Sequence, residues 1–199
     1  ISTVAAADAG DDGNYNNRQP RSVIDAYLDE ARRSESLLVL DVQPGQADFE
    51  REVLPLIDYL REPDVGLALD PEWHMAEGEV PGETIGSVDA AEVNRVAATL
   101  AELVERHDLP EKLLIVHQFT DEMIVGKQRL REHPGVALVL DADGFGDRPN
   151  KVSKYRQLRA EPGSGLHSGF KLFYEEDTNL MSPADVLELR PAPDVVVYE

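Results

Sequence analysis

Residues 66–75 read GLALDPEWHM, and this stretch decides the fold that the sequence predicts. Small and branched apolar residues run directly into the polar stretch Asp70–His74. An unbroken apolar run is typical of a parallel strand covered on both faces, because neither face then meets water. Polar residues at its carboxyl end are typical of the sheet edge at which such folds bind their ligands.

Six further apolar runs repeat this pattern, and amphipathic segments separate them. The seven runs are Thr3–Ala7, Leu37–Leu40, Gly66–Leu69, Leu113–Val116, Val136–Leu140, Phe170–Tyr174 and Val195–Tyr198. Between the runs, apolar residues recur at helical spacing, as in Val93, Val96 and Leu100, which marks one face of a helix packed on a sheet. Asp89 and Ser182 precede two of the predicted helices and are suitable N-caps.

Alternation of strands and helices permits either an open doubly wound sheet or a closed barrel. An open sheet of the nucleotide-binding kind carries a Gly-rich turn after its first strand, and Gly10–Gly13 (GDDG) is not such a turn. Polar residues end nearly every predicted strand, whereas an open sheet concentrates them at one switch point. We therefore predict one domain, residues 1–199, with the fold of a (β/α)8 TIM-type barrel. Its first strand is expected to precede Ile1 or to be unrecognised in the sequence.

Composition excludes several classes of protein. The chain has 39 acidic and 19 basic residues and a net charge of −20, which argues against binding nucleic acid or an anionic membrane. No apolar run approaches the roughly 20 residues that span a bilayer. Cysteine is absent, so disulfides, thiolate catalysis and cysteine-ligated metals are excluded. We expect no cofactor, and the oligomeric state is left open.

Polar and aromatic residues gather just after the predicted strands, at the edge where barrel enzymes bind substrate. The candidate binding residues are Asp8, Asp41, Gln43, Trp73, His74, His117, Gln118, Asp141, Asp143, Phe145, Lys171 and Tyr198. The candidate catalytic residues are Asp70, Glu72, Glu175 and Glu176. Asp70 and Glu72 form the best pair, because residues two apart in an extended chain point to the same side. The competing interpretation is a turn fixed by Pro71.

Glycoside hydrolysis is the first chemistry that these residues suggest, because it needs two carboxyl groups on either side of the scissile bond. With the unseen strand counted, GLALD becomes the fourth barrel strand and GFKLFYEED the seventh. Glycosidases with this barrel often place the acid/base after the fourth strand and the nucleophile after the seventh, and similarity to them implies Glu72 as the acid/base, opposite Glu175 or Glu176. Trp73 and Phe145 are then aromatic platforms for sugar rings, and the ligand is a glycan or another small molecule.

Two alternatives remain open. A divalent-metal hydrolase or deacetylase would use Asp70, His74, His117 and Asp141 as ligands, a chemically reasonable set. No HxH or HExxH spacing supports it, so a metal site ranks below glycoside chemistry and none is predicted. A non-catalytic carbohydrate-binding or cell-wall-binding barrel would keep Trp73 and the acidic rim. The separation of the carboxyl groups distinguishes it from an enzyme.

The stretches LLVLDVQPG, VGLALDPEWHM, IVHQFT, LVLDADGFG and FKLFYEEDTNLMSPADVL resemble a family of secreted or lipid-anchored actinobacterial proteins of unknown function. The resemblance covers most of residues 37–199 and implies a glycosidase-like barrel and a secreted or cell-surface location. Asp70 and Glu72 also resemble the acid-x-acid motif of lysozyme-type barrels that cut peptidoglycan, in which the Asp orients the Glu. The chain begins with Ile1, shows no signal peptide and is expected to be truncated at its start.

Overall fold

The computed structural model describes residues 1–199 and contains a strand at each of the seven predicted apolar runs. In chain order the strands are β1 (Ser2–Ala6), β2 (Asn16–Arg18), β3 (Leu38–Val42), β4 (Val65–Leu69), β5 (Val88–Asp89), β6 (Lys112–Gln118), β7 (Ile124–Val125), β8 (Val136–Ala142), β9 (His167–Leu172) and β10 (Val195–Tyr198). Eight of them form one sheet in the order β10-β9-β8-β6-β4-β3-β1-β2. All neighbours in this sheet are parallel except β1 and β2, and β5 pairs with β7 separately.

Six helices lie in five of the connections between strands, because one connection contains two of them. The helices are α1 (Arg21–Arg33), α2 (Phe49–Val53), α3 (Ile57–Leu60), α4 (Ala90–His107), α5 (Arg148–Leu158) and α6 (Pro183–Leu187), and a 3-10 turn joins α2 to α3. The predicted N-caps are confirmed, because Asp89 accepts the Ala91 N–H at 2.7 Å and Ser182 forms a capping box with Asp185. No helix combines the length and the apolar character needed to cross a bilayer, in agreement with the prediction.

The prediction of a (β/α)8 TIM-type barrel is wrong. The sheet is curled into a half-barrel and stays open between β10 at one edge and β2 at the other. The eighth strand, β2, runs antiparallel to β1, and the connection from β6 to β8 contains short turns and β7 in place of an α-helix. Because there is no barrel, Glu72 does not follow a fourth barrel strand, and neither Glu175 nor Glu176 follows a seventh.

The open edge has a physical cause in the polar segment that follows β1. This segment turns back as β2, whose residues Asn17 and Arg18 are exposed. The Arg18 guanidinium holds the buried carboxylate of Glu52 on α2, with Nε donating to Oε2 at 2.6 Å. Polar and charged residues on an edge strand oppose the addition of another strand. The sheet therefore ends where a barrel would close.

The two faces of the sheet differ strongly. Alternate residues such as Leu40, Leu67 and Leu114 point to the convex face, where they form the main core with α1 to α4. The concave face has a small apolar cluster built on Ala68, Ile115 and Val139. A closed barrel fills its interior with layers of bulky side chains, and here that filling is missing. The concave face therefore keeps an open cleft.

Candidate functional site

A cleft of about 890 Å³ occupies the concave face at the carboxyl end of the parallel strands. Residues of both halves of the sheet line it, from Val39 on β3 to Val197 on β10. One polar face of α5 closes its side. Ten predicted site residues line this cleft: Asp41, Gln43, Asp70, Glu72, Trp73, His117, Asp143, Phe145, Lys171 and Tyr198.

The strand register sets a row of charged side chains across the cleft floor. Leu69 of β4 pairs with Val116 of β6, so Asp70 lies level with His117. His117 in turn pairs with Asp141 of β8. Because residues in one row of a parallel sheet point to the same face, the three side chains lie on the concave side together.

His117 is a buried cation between carboxylates. Its Nδ1 donates to Asp141 Oδ2 at 2.9 Å and lies 3.5 Å from Asp143 Oδ2, and its Nε2 lies 3.9 Å from Asp41 Oδ1. Burial opposes the imidazolium, but the hydrogen bond to Asp141 and the charges of the nearby carboxylates raise the pKa of His117 to about 10. His117 is therefore protonated at neutral pH, and both ring nitrogens are donors.

Gly169 on β9 makes the space for the Asp141 carboxylate. A Cβ atom at this position would lie 2.5 Å from Asp141 Oδ1 and 2.9 Å from its Cα. Asp141 itself is fully buried, and its Oδ1 has no hydrogen-bond partner. The glycine thus allows Asp141 to lie against β9 while its other oxygen holds His117.

Asp70 and Glu72 are carboxyl groups without a stabilising partner. Neither side chain forms an ion pair or a hydrogen bond, although Asp70 is 9% exposed and Glu72 about half-buried. Burial raises the pKa of Asp70 to about 7, the His117 cation opposes the rise, and the carboxylates of Asp41 and Asp143 add to it. Burial, with the charge of Asp143, also raises the pKa of Glu72. These two groups hold protons at higher pH than ordinary carboxylic acids do.

The Asp143 carboxyl, whose pKa burial also raises, differs from Asp70 and Glu72 in having cations in direct contact. Lys171 Nζ donates to Asp143 Oδ2 at 3.0 Å and also contacts Glu199 Oε2 at 2.5 Å. Burial raises the pKa of Asp143, while the positive charges of His117 and Lys171 favour its ionised form. One side of His117 therefore has two unpaired carboxyl groups, and the other side has an ion-paired carboxylate.

Aromatic rings form much of the remaining lining: Trp73, Phe119, Phe145, Phe173 and Tyr198. The Phe145 ring meets the Phe173 ring edge-on, with centroids 6.1 Å apart, and is 68% exposed. At the rim, Tyr174 stacks on Tyr198 with a centroid distance of 5.5 Å. Exposed aromatic faces next to polar groups suit a ligand with both apolar ring faces and hydroxyl groups.

Two groups of side chains have ligand atoms close enough to hold a metal ion. His117, Asp141 and Asp143 form one group at the cleft, and Asp48, His74 and Glu92 form another outside it. The set suggested by the sequence, which joined His74 to Asp70, His117 and Asp141, is not assembled. The His74 ring instead packs on Phe49, at a centroid distance of 5.1 Å, and its Nδ1 bonds to Ser87 O at 2.7 Å.

Six predicted site residues do not line the cleft: Asp8, His74, Gln118, Asp141, Glu175 and Glu176. Asp141 acts from beneath, through His117. Gln118 points to the convex face, where its Nε2 donates to Leu158 O at 2.8 Å. Asp8, Glu175 and Glu176 are exposed on turns. The structure therefore gathers Asp70 and Glu72 with Asp143 and not with Glu175 or Glu176.

Sequence reasoning missed several lining residues that the period of a strand could have identified. Phe119 lies two positions after His117, and Phe173 two positions after Lys171, so each points to the cleft. Glu199 follows the last strand in the same way. Four polar residues of α5 also line the cleft at helical spacing: Asn150, Ser153, Lys154 and Gln157.

Comparison of the chain with protein-family models, with curated proteins and with solved structures gives no match. The resemblance to secreted actinobacterial proteins therefore stays a prediction.

Proposed function

We propose that this protein is a glycoside hydrolase whose active site is the concave cleft, with Glu72 as the general acid. The observation that carries the proposal is the pairing of unlike carboxyl groups around His117. Neither Asp70 nor Glu72 has a cation within ion-pair distance, whereas Asp143 Oδ2 lies 3.0 Å from Lys171 Nζ and 3.5 Å from His117 Nδ1. Glycoside hydrolysis needs one protonated and one ionised carboxyl group, and these direct contacts favour Asp143 as the ionised one.

Each group then has a defined step. The Glu72 carboxyl transfers its proton to the glycosidic oxygen as the bond from that oxygen to the anomeric carbon breaks. A water molecule attacks the anomeric carbon and passes a proton to the Asp143 carboxylate. Burial and the charge of Asp143 raise the pKa of Glu72, which favours its protonated form, and the charge of Glu72 in turn adds to the raised pKa of Asp70. The positive charges of His117 and Lys171 favour the ionised form of Asp143, against the effect of its burial.

The strand order favours inversion of the anomeric configuration. Glu72 follows β4 and Asp143 follows β8, and β6 lies between them. Two strand spacings amount to about 9.5 Å. This is a backbone spacing, and inverting enzymes have carboxyl groups about 6.5–9.5 Å apart whereas retaining enzymes have them about 5–5.5 Å apart, so we propose the wider, inverting arrangement.

A glycan is the substrate class that the lining supports. The aromatic faces of Trp73 and Phe145 can stack on sugar rings, and the carboxylates and amides nearby can accept or donate hydrogen bonds to hydroxyl groups. Asp70 and Glu72 resemble the acid-x-acid motif of lysozyme-type barrels that cut peptidoglycan. Polymers of N-acetylglucosamine are therefore the first substrates to test. The resemblance to secreted actinobacterial proteins implies an extracytoplasmic location, which would give access to such polymers.

A metal-dependent hydrolase is the second candidate, because the ligand atoms of His117, Asp141 and Asp143 lie within 4.8 Å of one another. A divalent ion held there would activate water as a Lewis acid. Loss of activity on chelation, restored by a divalent metal, would favour this candidate. Activity that is unchanged by chelator favours the carboxylate mechanism.

The test measures new reducing ends released from an N-acetylglucosamine hexamer and from peptidoglycan. Glu72→Gln should lower kcat by about 100-fold or more, since general acid catalysis contributes at least that much. Glu175→Gln is the matched control at an exposed site and should keep full activity. Saturable hexamer binding without turnover by the unmodified protein, weakened by Trp73→Ala, would reject hydrolysis in favour of a binding protein. Equal activity of the two variants would reject the role of Glu72.

A further inference from the structure

A buried ion pair lies beneath the loop that carries Phe145. Lys151, at the start of α5, and Asp177, after β9, are 2% and 1% exposed at their side chains, and Lys151 Nζ lies 3.1 Å from Asp177 Oδ2. Neither residue lines the cleft. An ion pair this deeply buried is costly to desolvate, so its effect on the surrounding backbone is the feature to examine.

The ion pair is bonded to the backbone on both sides of Phe145. Lys151 Nζ donates to Gly144 O at 2.8 Å, and Gly146 N donates to Asp177 Oδ1 at 2.9 Å. Gly144 and Gly146 have φ values of 152° and 153°, a region that favours glycine. The short loop is thus fixed at the two peptide groups that would otherwise allow it to swing.

The same pair also fixes the ring on which Phe145 rests. Phe173 N donates to Asp177 Oδ2 at 3.0 Å, and the Lys151 ammonium lies 5.2 Å from the centre of the Phe173 ring. Lys171 approaches that ring as well, at 5.0 Å. Phe145 packs on Phe173 edge-on, so one ion pair sets the position of both rings.

We propose that Phe145 is a stacking subsite for a sugar ring remote from the cleaved bond, and that Lys151 and Asp177 are positioning residues that hold it. The inference rests on the proposed glycan-binding function of the cleft and adds its specificity. An exposed phenylalanine ring on a rigid support presents a flat apolar face to the cleft. A flexible loop would bury that ring or lose entropy on binding.

The position of Phe145 predicts a preference for longer oligosaccharides. Phe145 follows β8, but its ring rests on Phe173 after β9, which is three strand spacings, roughly 14 Å, from β4, so the ring lies on the far side of Asp143 from Glu72. A ligand that contacts Glu72 at the cleaved bond reaches Phe145 only through further sugar units. Loss of the Phe145 ring should therefore weaken long ligands and leave short ones unchanged.

The test compares binding of the N-acetylglucosamine dimer and hexamer by calorimetry, with Glu72→Gln as the parent protein to prevent turnover. Phe145→Ala should weaken hexamer binding by about tenfold and leave dimer binding unchanged. Tyr27→Ala is the matched control, because Tyr27 is an exposed aromatic residue on α1, away from the cleft. It should bind both ligands like the parent.

The positioning role is tested by the double substitution Lys151→Met with Asp177→Leu, which removes both buried charges and keeps apolar volume. We expect this protein to fold, and its hexamer affinity to fall as in Phe145→Ala. A purely structural ion pair would leave the affinity of the folded double variant normal. Hexamer binding without turnover in the unmodified protein rejects hydrolysis and leaves this comparison valid. Equal hexamer affinity of Phe145→Ala and its parent, or no hexamer binding by the parent, overturns the inference.

Discussion

Replacing Asp70 with Asn should stabilise the protein, and more so at higher pH. Burial raises the pKa of this carboxyl from 3.8 to about 7, so the folded state binds its proton more tightly than the unfolded state does. Between these two values stability falls as pH rises, and it is constant above about pH 7. Asn carries no titrating proton, so this loss disappears in Asp70→Asn.

The magnitude follows from the shift. At about 1.36 kcal/mol per pKa unit, the wild-type loss is about 1.5 kcal/mol at pH 5 and about 4 kcal/mol at pH 8. The stability difference between Asp70→Asn and wild type should therefore grow by about 2.5 kcal/mol between these pH values. The pKa of about 7 already includes the attraction between ionised Asp70 and the His117 cation.

Urea unfolding followed by the fluorescence of Trp73, the only tryptophan, measures this difference. Comparing the two pH values cancels any pH-independent effect of the substitution. Glu175→Gln removes an exposed carboxylate and should show no comparable change. A stability difference for Asp70→Asn that is the same at pH 5 and pH 8, or that shrinks as pH rises, would refute the reasoning.

Three further predictions concern the support of the site and the core. Gly169→Ala should destabilise the fold by about 1–3 kcal/mol and lower the pKa of His117, because the new methyl group displaces Asp141. Nuclear magnetic resonance titration of the imidazole measures the pKa of His117, and an unchanged pKa contradicts the prediction. Lys151→Met alone should cost about 3–5 kcal/mol by leaving the buried Asp177 carboxylate without a cation, and chemical unfolding should show only part of this cost removed in the double substitution with Asp177→Leu, because the Gly146 and Phe173 N–H groups then lose their acceptor. Leu100→Ala, at a fully buried position of the main core, should cost about 3–5 kcal/mol of unfolding free energy; a loss below about 1 kcal/mol would mean that α4 packs loosely on the sheet.

The strands could be predicted from the sequence because burial on both faces leaves an unbroken apolar run, as in Gly66–Leu69. Their parallel direction could be predicted because segments with apolar residues at helical spacing separate them. Closure could not be predicted in the same way. It depends on β2, a short polar strand whose position is set by the Arg18–Glu52 ion pair, and three polar residues leave no periodic signal.

The site was predicted in part for a similar reason. Asp70, His117 and Asp143 come at strand ends, where topology alone brings them together. For other candidates, the face of the sheet to which a strand residue points decided whether it lines the cleft. Gln118 is one position from His117 and therefore points to the opposite face. Turn residues such as Glu175 were beyond this reasoning, because the direction of a turn depends on contacts distant in sequence.

We propose a hydrolase with Glu72 and Asp143 on either side of His117. Its most direct test is to measure the anomeric configuration of the product when it is first formed. Proton nuclear magnetic resonance can follow the anomeric signal as the N-acetylglucosamine hexamer is cleaved. The account predicts that the inverted anomer appears first with wild-type protein and that Glu72→Gln gives no product. A retained anomer, or equal product from both proteins, would contradict it.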